Sequence, residues 1–531
     1  MAGVSTVGVS RVAGKLLALD ARPAVKIGVI GVTEKGALGR AVECASWQAW
    51  LDEFGAFTSS AQATPLAVKT LFEEAKSNGN GSAAPVLVYG VRVVHNSTAA
   101  NIATKTSGAA RAVLVDRAGS PLDTLQVDAI SDGTWANTFT ITIAAPSNGV
   151  TSNFNLVVKN GSITLETYVN LSMTDTDPNY VETVINEGVG SQPASKYIRV
   201  TDLDSATATP NDLPALGTID LDDDTSGVDG LSSLADADYV GGLTSGKTAG
   251  LACFDRLNDI DILIAPDRAT SSFLNSLITY NNGRSRKAFL ILEPPSSQSI
   301  AQIRTFVRTT AALIGSTERA AIYYPQTKVD NPDTTIFGNA ATVVAPNSGQ
   351  MAGLYARVAA AQDFGAFSSP AGKPLKLRTA RALVNTDIED PTNRGLVFDD
   401  RINPITTDLE QGGIYVDGAR TLNAQGAFPF VGESRGITFL EIQIGNALDQ
   451  RRHENNTQAL RSALKTELEI FLRRGLPAKA YATDIEKDAF TIDASDALNP
   501  PSEQGAGRLH INVGVATAKP AEFIFLQFAP K

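Results

Sequence analysis

The sequence V-A-P-N-S-G-Q-M-A-G-L-Y-A-R occupies residues 344–357, in the middle of a strongly patterned region. Y-Y-P precedes it at residues 323–325, and S-P-A-G follows it at residues 369–372. None of these stretches places reactive side chains at the spacing of a catalytic motif. Around them, short apolar runs alternate with helical stretches, and this alternation predicts a parallel sheet covered by helices on both faces.

The α/β pattern is clearest upstream of this stretch. Apolar runs there predict strands at residues 260–265, 288–293 and 320–325. The stretches between these runs predict helices at residues 273–280 and 300–314. Nearer the N-terminus, the run V-K-I-G-V-I-G-V at residues 25–32 predicts another buried strand. It is followed by predicted helices and a further strand, at residues 47–54, 66–76 and 86–94.

Two other regions have a different texture. Residues 95–232 are rich in Thr, Asn, Asp and Ser and predict an inserted β-domain with short strands at residues 138–144, 154–158, 163–169 and 197–200. Near the C-terminus, residues 457–474 predict an amphipathic helix that begins after Asn455 or Asn456. Alternating apolar residues at 509–515 predict a strand.

Further motifs occur in a fixed order along the chain. I-N-P-I, G-I-Y-V and G-A-R-T-L lie within residues 402–422, and K-P-A-E-F-I occupies residues 519–524. Together with residues 322–372, they resemble the contractile tail sheath proteins, a phage family whose subunits polymerise around a rigid tube. The resemblance implies an α/β and β multidomain fold: a subtilisin-like α/β domain without protease activity, an inserted outer β-sandwich domain, and an α+β C-terminal domain completed by strand exchange between subunits.

The domain boundaries follow from the pattern and the resemblance together. We predict an extended N-terminal arm, a small α/β segment packed on the core, the inserted β-sandwich, the subtilisin-like domain and the C-terminal sheath domain, at residues 1–22, 23–94, 95–232, 233–425 and 426–531.

Both ends of the sequence carry short apolar segments. The N-terminal arm contains Val4, Val7, Val9 and Val12, and the apolar run near the C-terminus contains Phe523, Ile524, Phe525, Leu526 and Phe528. Such segments are costly to expose and too small to fold alone. The resemblance implies that neighbouring subunits exchange them as strands, which is a form of β-augmentation.

The function implied by the resemblance is mechanical. The chain is expected to polymerise helically around an inner tail tube and to contract, driving the tube through the host cell envelope. The implied partners are further copies of the chain, the inner tube protein, and baseplate and tail terminator proteins, in a virion tail assembled in the host cytoplasm. Residues 457–474 offer an acidic tube the side chains of Arg461, Lys465, Arg473 and Arg474. A solvated helix face explains the same charges equally well.

Composition bounds the alternatives. The 531 residues are 43% apolar and carry 45 basic and 56 acidic residues, a net charge of −11, which disfavours direct nucleic-acid binding. Cys44 and Cys253 are too few for a disulfide framework. No apolar run is long enough to span a bilayer, so we expect neither secretion nor membrane insertion. No metal or cofactor is expected.

Two motifs suggest enzymes, although we expect no catalysis. Gly241–Thr248 reads G-G-L-T-S-G-K-T, a formal P-loop match, but no buried strand precedes it. Residues 432–436 read G-E-S-R-G, the nucleophile-elbow pattern, with Asp493 and His510 downstream. A nucleotide-binding protein, a serine hydrolase and a non-contractile tail or capsid protein are therefore the alternatives.

The remaining polar features predict no site. The acidic run at residues 220–229 lacks the bidentate Glu of a calcium loop and is expected to be a solvated turn. His95 and His453 have no partners at metal-ligand spacing, so both are predicted at the surface.

Overall fold

A computed structural model describes residues 17–76 and 84–526. The predicted exchange residues Val4, Val7, Val9 and Val12 lie outside these ranges, as does Phe528.

No helix in the two described ranges is both long and apolar enough to cross a membrane.

The strands of the described residues fall into seven sheets. In chain order they are β1 Val25–Gly31, β2 Val42–Cys44, β3 Val86–Arg92, β4 Arg111–Val115, β5 Asp123–Ala129, β6 Phe139–Ala144, β7 Asn153–Asn160, β8 Ile163–Ser172, β9 Gly188–Val189, β10 Gln192–Pro193, β11 Ile198–Asp202, β12 Gly217–Asp220, β13 Gly242–Thr244, β14 Lys247–Ala249, β15 Ile262–Ile264, β16 Phe289–Leu292, β17 Ala320–Tyr324, β18 Thr327–Asp330, β19 Thr342–Ala345, β20 Ala382–Leu383, β21 Ile402–Thr407, β22 Ile414–Val416, β23 Phe490–Asp493 and β24 Asn512–Val515.

The α-helices are α1 Trp47–Phe54, α2 Ala63–Glu74, α3 Asp236–Val240, α4 Ser271–Gly283, α5 Ile300–Thr305, α6 Thr334–Phe337, α7 Asn347–Ala359, α8 Pro391–Asp399, α9 Val431–Asp449, α10 Gln458–Arg473, α11 Glu486–Ala489 and α12 Pro501–Gly505. Helix α5 continues as a π-helical turn at Phe306–Thr310, so the single helix predicted for residues 300–314 changes its hydrogen-bonding pattern partway.

The largest sheet has eight strands in the order β2, β3, β1, β15, β16, β17, β21, β22. The six inner strands run parallel, and the edge strands β2 and β22 pair antiparallel to their neighbours. Every residue of β15, β16 and β17 is buried. Because such strands are covered on both faces, their unbroken apolar sequences are what a parallel sheet requires. The prediction of a mixed α/β fold with several sheets is confirmed.

Helix α7, which carries the patterned stretch, packs almost backbone to backbone on α2. A Cβ added at Gly349 would lie 2.3 Å from the carbonyl oxygen of Ala67, and one added at Gly353 would lie 2.4 Å from that of Leu71. No side chain larger than hydrogen fits at these two points without moving a helix. The spacing of the two glycines, four residues apart, places both on one face of α7.

A buried carboxylate fixes the start of α7. Glu293 follows β16, is 3% exposed, and accepts hydrogen bonds from the backbone N–H groups of Asn347 (3.1 Å) and Ser348 (2.9 Å). The Gln326 amide donates a third bond at 3.1 Å. Burial raises the pKa of Glu293 to about 7, although the hydrogen bonds act in the opposite direction.

This pKa predicts a pH dependence of stability. Between the ordinary value of 4.5 and about 7, folded Glu293 keeps a proton that the unfolded chain releases. Its stabilising contribution is therefore complete below pH 4.5 and is lost as pH rises towards 7. We expect Glu293→Gln, which mimics the protonated acid, to remove roughly 1–3 kcal/mol of that decline. Urea unfolding midpoints measured between pH 4.5 and 8 test this expectation. If the midpoint changed with pH by the same amount in the parent and in Glu293→Gln, the expectation would be contradicted.

Residues between β3 and α3 form a separate β-rich region. The sheet β11-β5-β4 and the sheet β12-β6-β7-β8 are both antiparallel, and they bury a common apolar cluster that includes Phe139, Phe154 and Leu156. The strands predicted at residues 138–144, 154–158, 163–169 and 197–200 are confirmed as β6, β7, β8 and β11. The exact domain boundaries remain a prediction.

The C-terminal region contains α9, α10 and the two-stranded sheet β23-β24. Helix α10 is confirmed, but its N-cap is Thr457, whose hydroxyl accepts from the Leu460 N–H at 3.1 Å. The predicted caps Asn455 and Asn456 are therefore wrong. Asn456 and Asn455 lie one and two residues too early, and Asn456 donates instead to the Arg508 carbonyl.

Candidate assembly surfaces

The sheet β23-β24 has unused edges. Phe490 pairs with Val515 and Asp493 with Asn512 in an antiparallel register, and no third strand joins them among residues 17–76 and 84–526. Isolated two-stranded sheets are marginal in water, and free edges invite a further strand. This small sheet is therefore able to accept backbone from another chain.

A groove of about 810 Å³ lies between β24 and helix α9. Apolar side chains line both walls: Ile437, Leu440, Ile444 and Leu448 from α9, and on the other side Val513 and Val515 of β24 with Ile511 just before it. The four α9 residues recur every three or four positions and so form one stripe along the helix. The groove thus continues the inner face of the sheet beyond its own edge.

Three of the four charged side chains that line the groove are already paired, and the fourth is Lys287. Arg319 forms a bidentate ion pair with Glu441, with N···O distances of 2.6 and 2.9 Å. Arg286 binds Asn446 and Asp449. Because these three charges are satisfied within the subunit, the unused capacity of the groove is apolar apart from Lys287.

The C-terminal segment is the most exposed apolar stretch described. Phe523, Ile524, Phe525 and Leu526 are 65%, 85%, 93% and 77% exposed and form no helix or strand within the subunit. Immediately before them, Glu522 pairs with Arg420, and the Phe523 ring meets the Phe398 ring edge-on at 6.1 Å. Their predicted role as an exchanged strand stays a prediction.

The predicted tube-facing residues already have partners within the subunit. Arg461 is 5% exposed and pairs with Asp496 at 2.5 Å. The other three are about half exposed, and their pairs are Lys465 with Glu469 at 3.9 Å, Arg473 with Glu486 at 2.9 Å and Arg474 with Asp363 at 2.9 Å. Only the latter three present charge to a partner without opening the fold.

The P-loop match forms a β-hairpin. Strands β13 and β14 pair antiparallel across Ser245 and Gly246, whose φ angles are 50° and 76°. Two successive positive φ values are the signature of a type I′ hairpin turn. A phosphate-binding loop instead joins a buried strand to a helix. The nucleotide-binding alternative is not favoured.

The G-E-S-R-G motif lies inside the first turns of α9. Ser434 is 1% exposed, and its hydroxyl has no hydrogen-bond partner among the described residues. Gly432 and Gly436 are positions where a Cβ would come within 2.5 Å of Phe367 atoms, so close helix packing explains both. The His510 ring contacts Glu503 at 2.9 Å. This geometry lacks the strand-turn-helix elbow of a hydrolase.

The histidines differ from each other. His453 is exposed, as predicted. The surface prediction for His95 is confirmed only in part, because its imidazole is 25% exposed and its Nδ1 lies 3.1 Å from buried Asp238. Within the described ranges, which contain the acidic run at residues 220–229, no three His, Cys, Asp or Glu side chains cluster as metal ligands.

Sequence reasoning missed the α9 stripe and the roles of Arg420, Glu522 and Phe398. Arg420 and Glu522 lie in the G-A-R-T-L and K-P-A-E-F-I motifs, so their pairing had a sequence signal, but 102 residues separate them. The 3.6-residue period of the α9 stripe was a second available signal.

Comparisons with known proteins locate this architecture. No family model matches the sequence, and no curated protein does. Among solved structures, the chain is similar to the sheath of an extracellular contractile injection system, the PVC sheath complex in its contracted state (TM-score 0.53, 16% identity, 100% of this chain and 98% of that chain). It is also similar to the contracted helical sheath of the anti-feeding prophage, with a TM-score of 0.55 and 15% identity over 100% of this chain and 99% of that chain. The chain is similar as well to a sheath tail protein from Listeria innocua, with a TM-score of 0.55 and 12% identity over 90% of each chain. The chain therefore has the fold of the contractile tail sheath proteins.

Proposed function

We propose that the chain is the structural subunit of a contractile sheath, which polymerises helically around an inner tube and contracts to drive the tube through a cell envelope. The observation that carries this proposal is an unfinished sheet in a sheath fold: no described residue adds a third strand to β23-β24, and the same chain presents an exposed apolar segment of strand length. Head-to-tail exchange of such a segment builds a helical filament when the rotation between neighbours does not close into a ring, and we propose that open arrangement here.

The proposed exchange uses the groove beside β24. In an extended segment, Ile524, Leu526 and Phe528 share one face. A neighbour's segment hydrogen-bonded along β24 would direct that face onto the stripe of Ile437, Leu440, Ile444 and Leu448. Burying each large apolar side chain contributes about 1.5–3 kcal/mol. The N-terminal valines Val4, Val7, Val9 and Val12 are proposed for a second subunit's sheet in the same way.

Contraction is proposed to draw on stored packing energy. Exchanged strands keep subunits connected while their bodies move, and two packings that differ by a few kcal/mol per subunit do large work when many switch together. The central sheet, with six parallel inner strands, is compatible with the proposed subtilisin-like layout.

The proposed partners follow from the exposed charges and the fold. Lys465, Arg473 and Arg474 are offered to an acidic inner tube through the C-terminal region. Baseplate and tail terminator proteins would cap the two ends of the polymer. The proposed location is a virion tail or a related injection device, assembled in the host cytoplasm.

Electron microscopy with calorimetry tests this function. The purified protein should form striated tubes that shorten and widen irreversibly on heating, and the shortening should release heat in a differential scanning calorimeter. Tubes that never shorten would instead support the alternative of a non-contractile tail protein. Shortening without heat release would contradict the stored-energy mechanism.

A single charge in the groove should block assembly. Ile444 is only partly buried in the subunit, so Ile444→Glu should leave the fold intact, but it places a carboxylate where the neighbour's strand must be buried. We expect the critical concentration for polymerisation to rise at least ~30-fold, equivalent to about 2 kcal/mol.

The matched control for the groove variant is Ile163→Glu, at a 65% exposed isoleucine of the β-rich region. This control should polymerise like the parent in sedimentation assays. Equal sedimentation of Ile444→Glu and Ile163→Glu polymers would show that the groove is not used.

A further inference from the structure

We infer that residues 517–523 are a docked anchor, which fixes the C-terminal segment to its own subunit and sets Ile524 as the first residue free to reach a neighbour. This inference rests on the proposed function, because it specifies how an exchanged strand is held at its root. The residues that do so are Arg420, Glu522 and Phe398.

The ionic part of the anchor is bidentate and shielded. The Arg420 guanidinium donates to both Glu522 carboxylate oxygens, with N···O distances of 2.8, 3.0 and 3.3 Å. The two side chains are only 18% and 15% exposed. Charge-assisted bidentate pairs with this degree of burial are stronger than ordinary surface ion pairs.

Aromatic contacts hold the same arginine in place. The Arg420 guanidinium lies 3.5 Å from the centre of the Phe398 ring, and that ring receives Phe523 edge-on at 6.1 Å. The backbone of Arg420 is held as well: buried Asn403 on β21 accepts a hydrogen bond from the Arg420 backbone N–H at 2.7 Å and donates one to the Arg420 backbone carbonyl at 2.9 Å. The arginine is thus positioned by the central sheet before the C-terminal segment reaches it.

Docking begins and ends at definite residues. Thr517 donates its hydroxyl proton to Glu433 at 2.6 Å, and the Ala518 N–H donates to the Ala480 carbonyl at 3.1 Å. Exposure then rises from 15% at the Glu522 side chain to 85% at Ile524. The boundary between held and free residues therefore lies at Phe523.

The anchor has a mechanical consequence in a polymer. Tension on an exchanged strand would pass from the neighbour's sheet through Phe523 and Glu522 to Arg420. The load would then enter β21 through Asn403, a fully buried residue of the central sheet. Neighbours could move apart without pulling residues 517–523 off their own subunit.

Spin-label distance measurements test the anchor. Labels on Leu396→Cys, in α8, and Ala521→Cys occupy exposed positions on the two sides of the contact, and the native Cys44 and Cys253 are buried. The free subunit should give one narrow distance distribution. Arg420→Gln, and separately Glu522→Gln, should reduce the population at that distance about fivefold or more, as loss of a shielded bidentate pair implies.

Arg381→Gln is the control for this measurement. It removes an exposed ion pair with Asp330, whose side chains are 46% and 68% exposed, and it should leave the distribution narrow. A broad distribution in the parent subunit, or no change in both Arg420→Gln and Glu522→Gln, would overturn the anchor. The same narrow distance is expected in polymers diluted with unlabelled protein, and broadening there would also overturn it. If the free subunit gave the narrow distance but the protein formed no polymers, the anchor would stand and only the proposed function would be contradicted.

Discussion

Deleting residues 524–531 should abolish polymerisation and leave the subunit folded. Ile524, Phe525 and Leu526 are 77–93% exposed, so removing them takes away almost no packing within the subunit. In a polymer, the same residues would be buried against a neighbour. Loss of two or three large apolar side chains from that contact should raise the critical concentration at least ~100-fold.

Substitutions on opposite faces of the C-terminal segment test the same contact more specifically than the deletion. If the segment binds as a strand with one face in the groove, Ile524→Ser combined with Leu526→Ser should impair assembly far more than Phe525→Ser, which changes the opposite face. Sedimentation and negative-stain microscopy give the critical concentrations, and thermal unfolding checks the fold. Tubes formed by the deletion variant at the parent's concentration would refute the exchange.

Gly349→Ala should strongly destabilise the subunit itself. In an exposed helix this change stabilises by about 0.5–1 kcal/mol, because alanine is the better helix former. At Gly349 the new methyl group would meet the Ala67 carbonyl oxygen at 2.3 Å, and that neighbour is backbone and has no rotamer to adopt. We expect a net loss of about 1–3 kcal/mol or more from overpacking.

A matched glycine gives the opposite sign. Gly395 lies in helix α8, and a Cβ added there would meet no atom within 4 Å. Gly395→Ala should therefore leave the urea midpoint unchanged or raise it, whereas Gly349→Ala should lower it. If both variants shifted the midpoint in the same direction, close packing of α7 on α2 would not be what constrains Gly349.

Local structure was predictable where periodicity and punctuation agree. The unbroken apolar runs at residues 288–293 and 320–325 became β16 and β17, and the stripe of leucines at residues 457–474 became α10. The predicted fold class also followed from the motifs at residues 344–357 and 402–422. These signals are local, so they survive without knowledge of tertiary contacts.

Long-range pairing was not predictable in the same way. Strand β1 pairs with β15 across more than 230 residues, and neither sequence identifies the other. The G-G-L-T-S-G-K-T match carried little weight, because eight letters do not encode their context and S-G between two short strands is itself a turn signal. The contact of His95 with Asp238 was not predictable, since the two residues are 143 positions apart.

Only one of the two candidate assembly surfaces, the exposed C-terminal segment, could be predicted from the sequence. The exposed apolar run at residues 523–526 was predicted as a segment in need of a partner, because its composition alone makes exposure costly. The groove was not predicted, since it exists only where α9 lies beside β24. The anchor pair Arg420 and Glu522 was visible as two motifs but not as a contact.

Cryo-electron microscopy of the assembled polymer would show directly whether neighbouring subunits exchange a strand at β24. We expect a strand from a neighbouring subunit along the free edge of β24, with its apolar side chains against Leu440 and Ile444 in the groove. An ordered polymer in which that edge carries no strand and the groove holds no neighbouring side chain would contradict it.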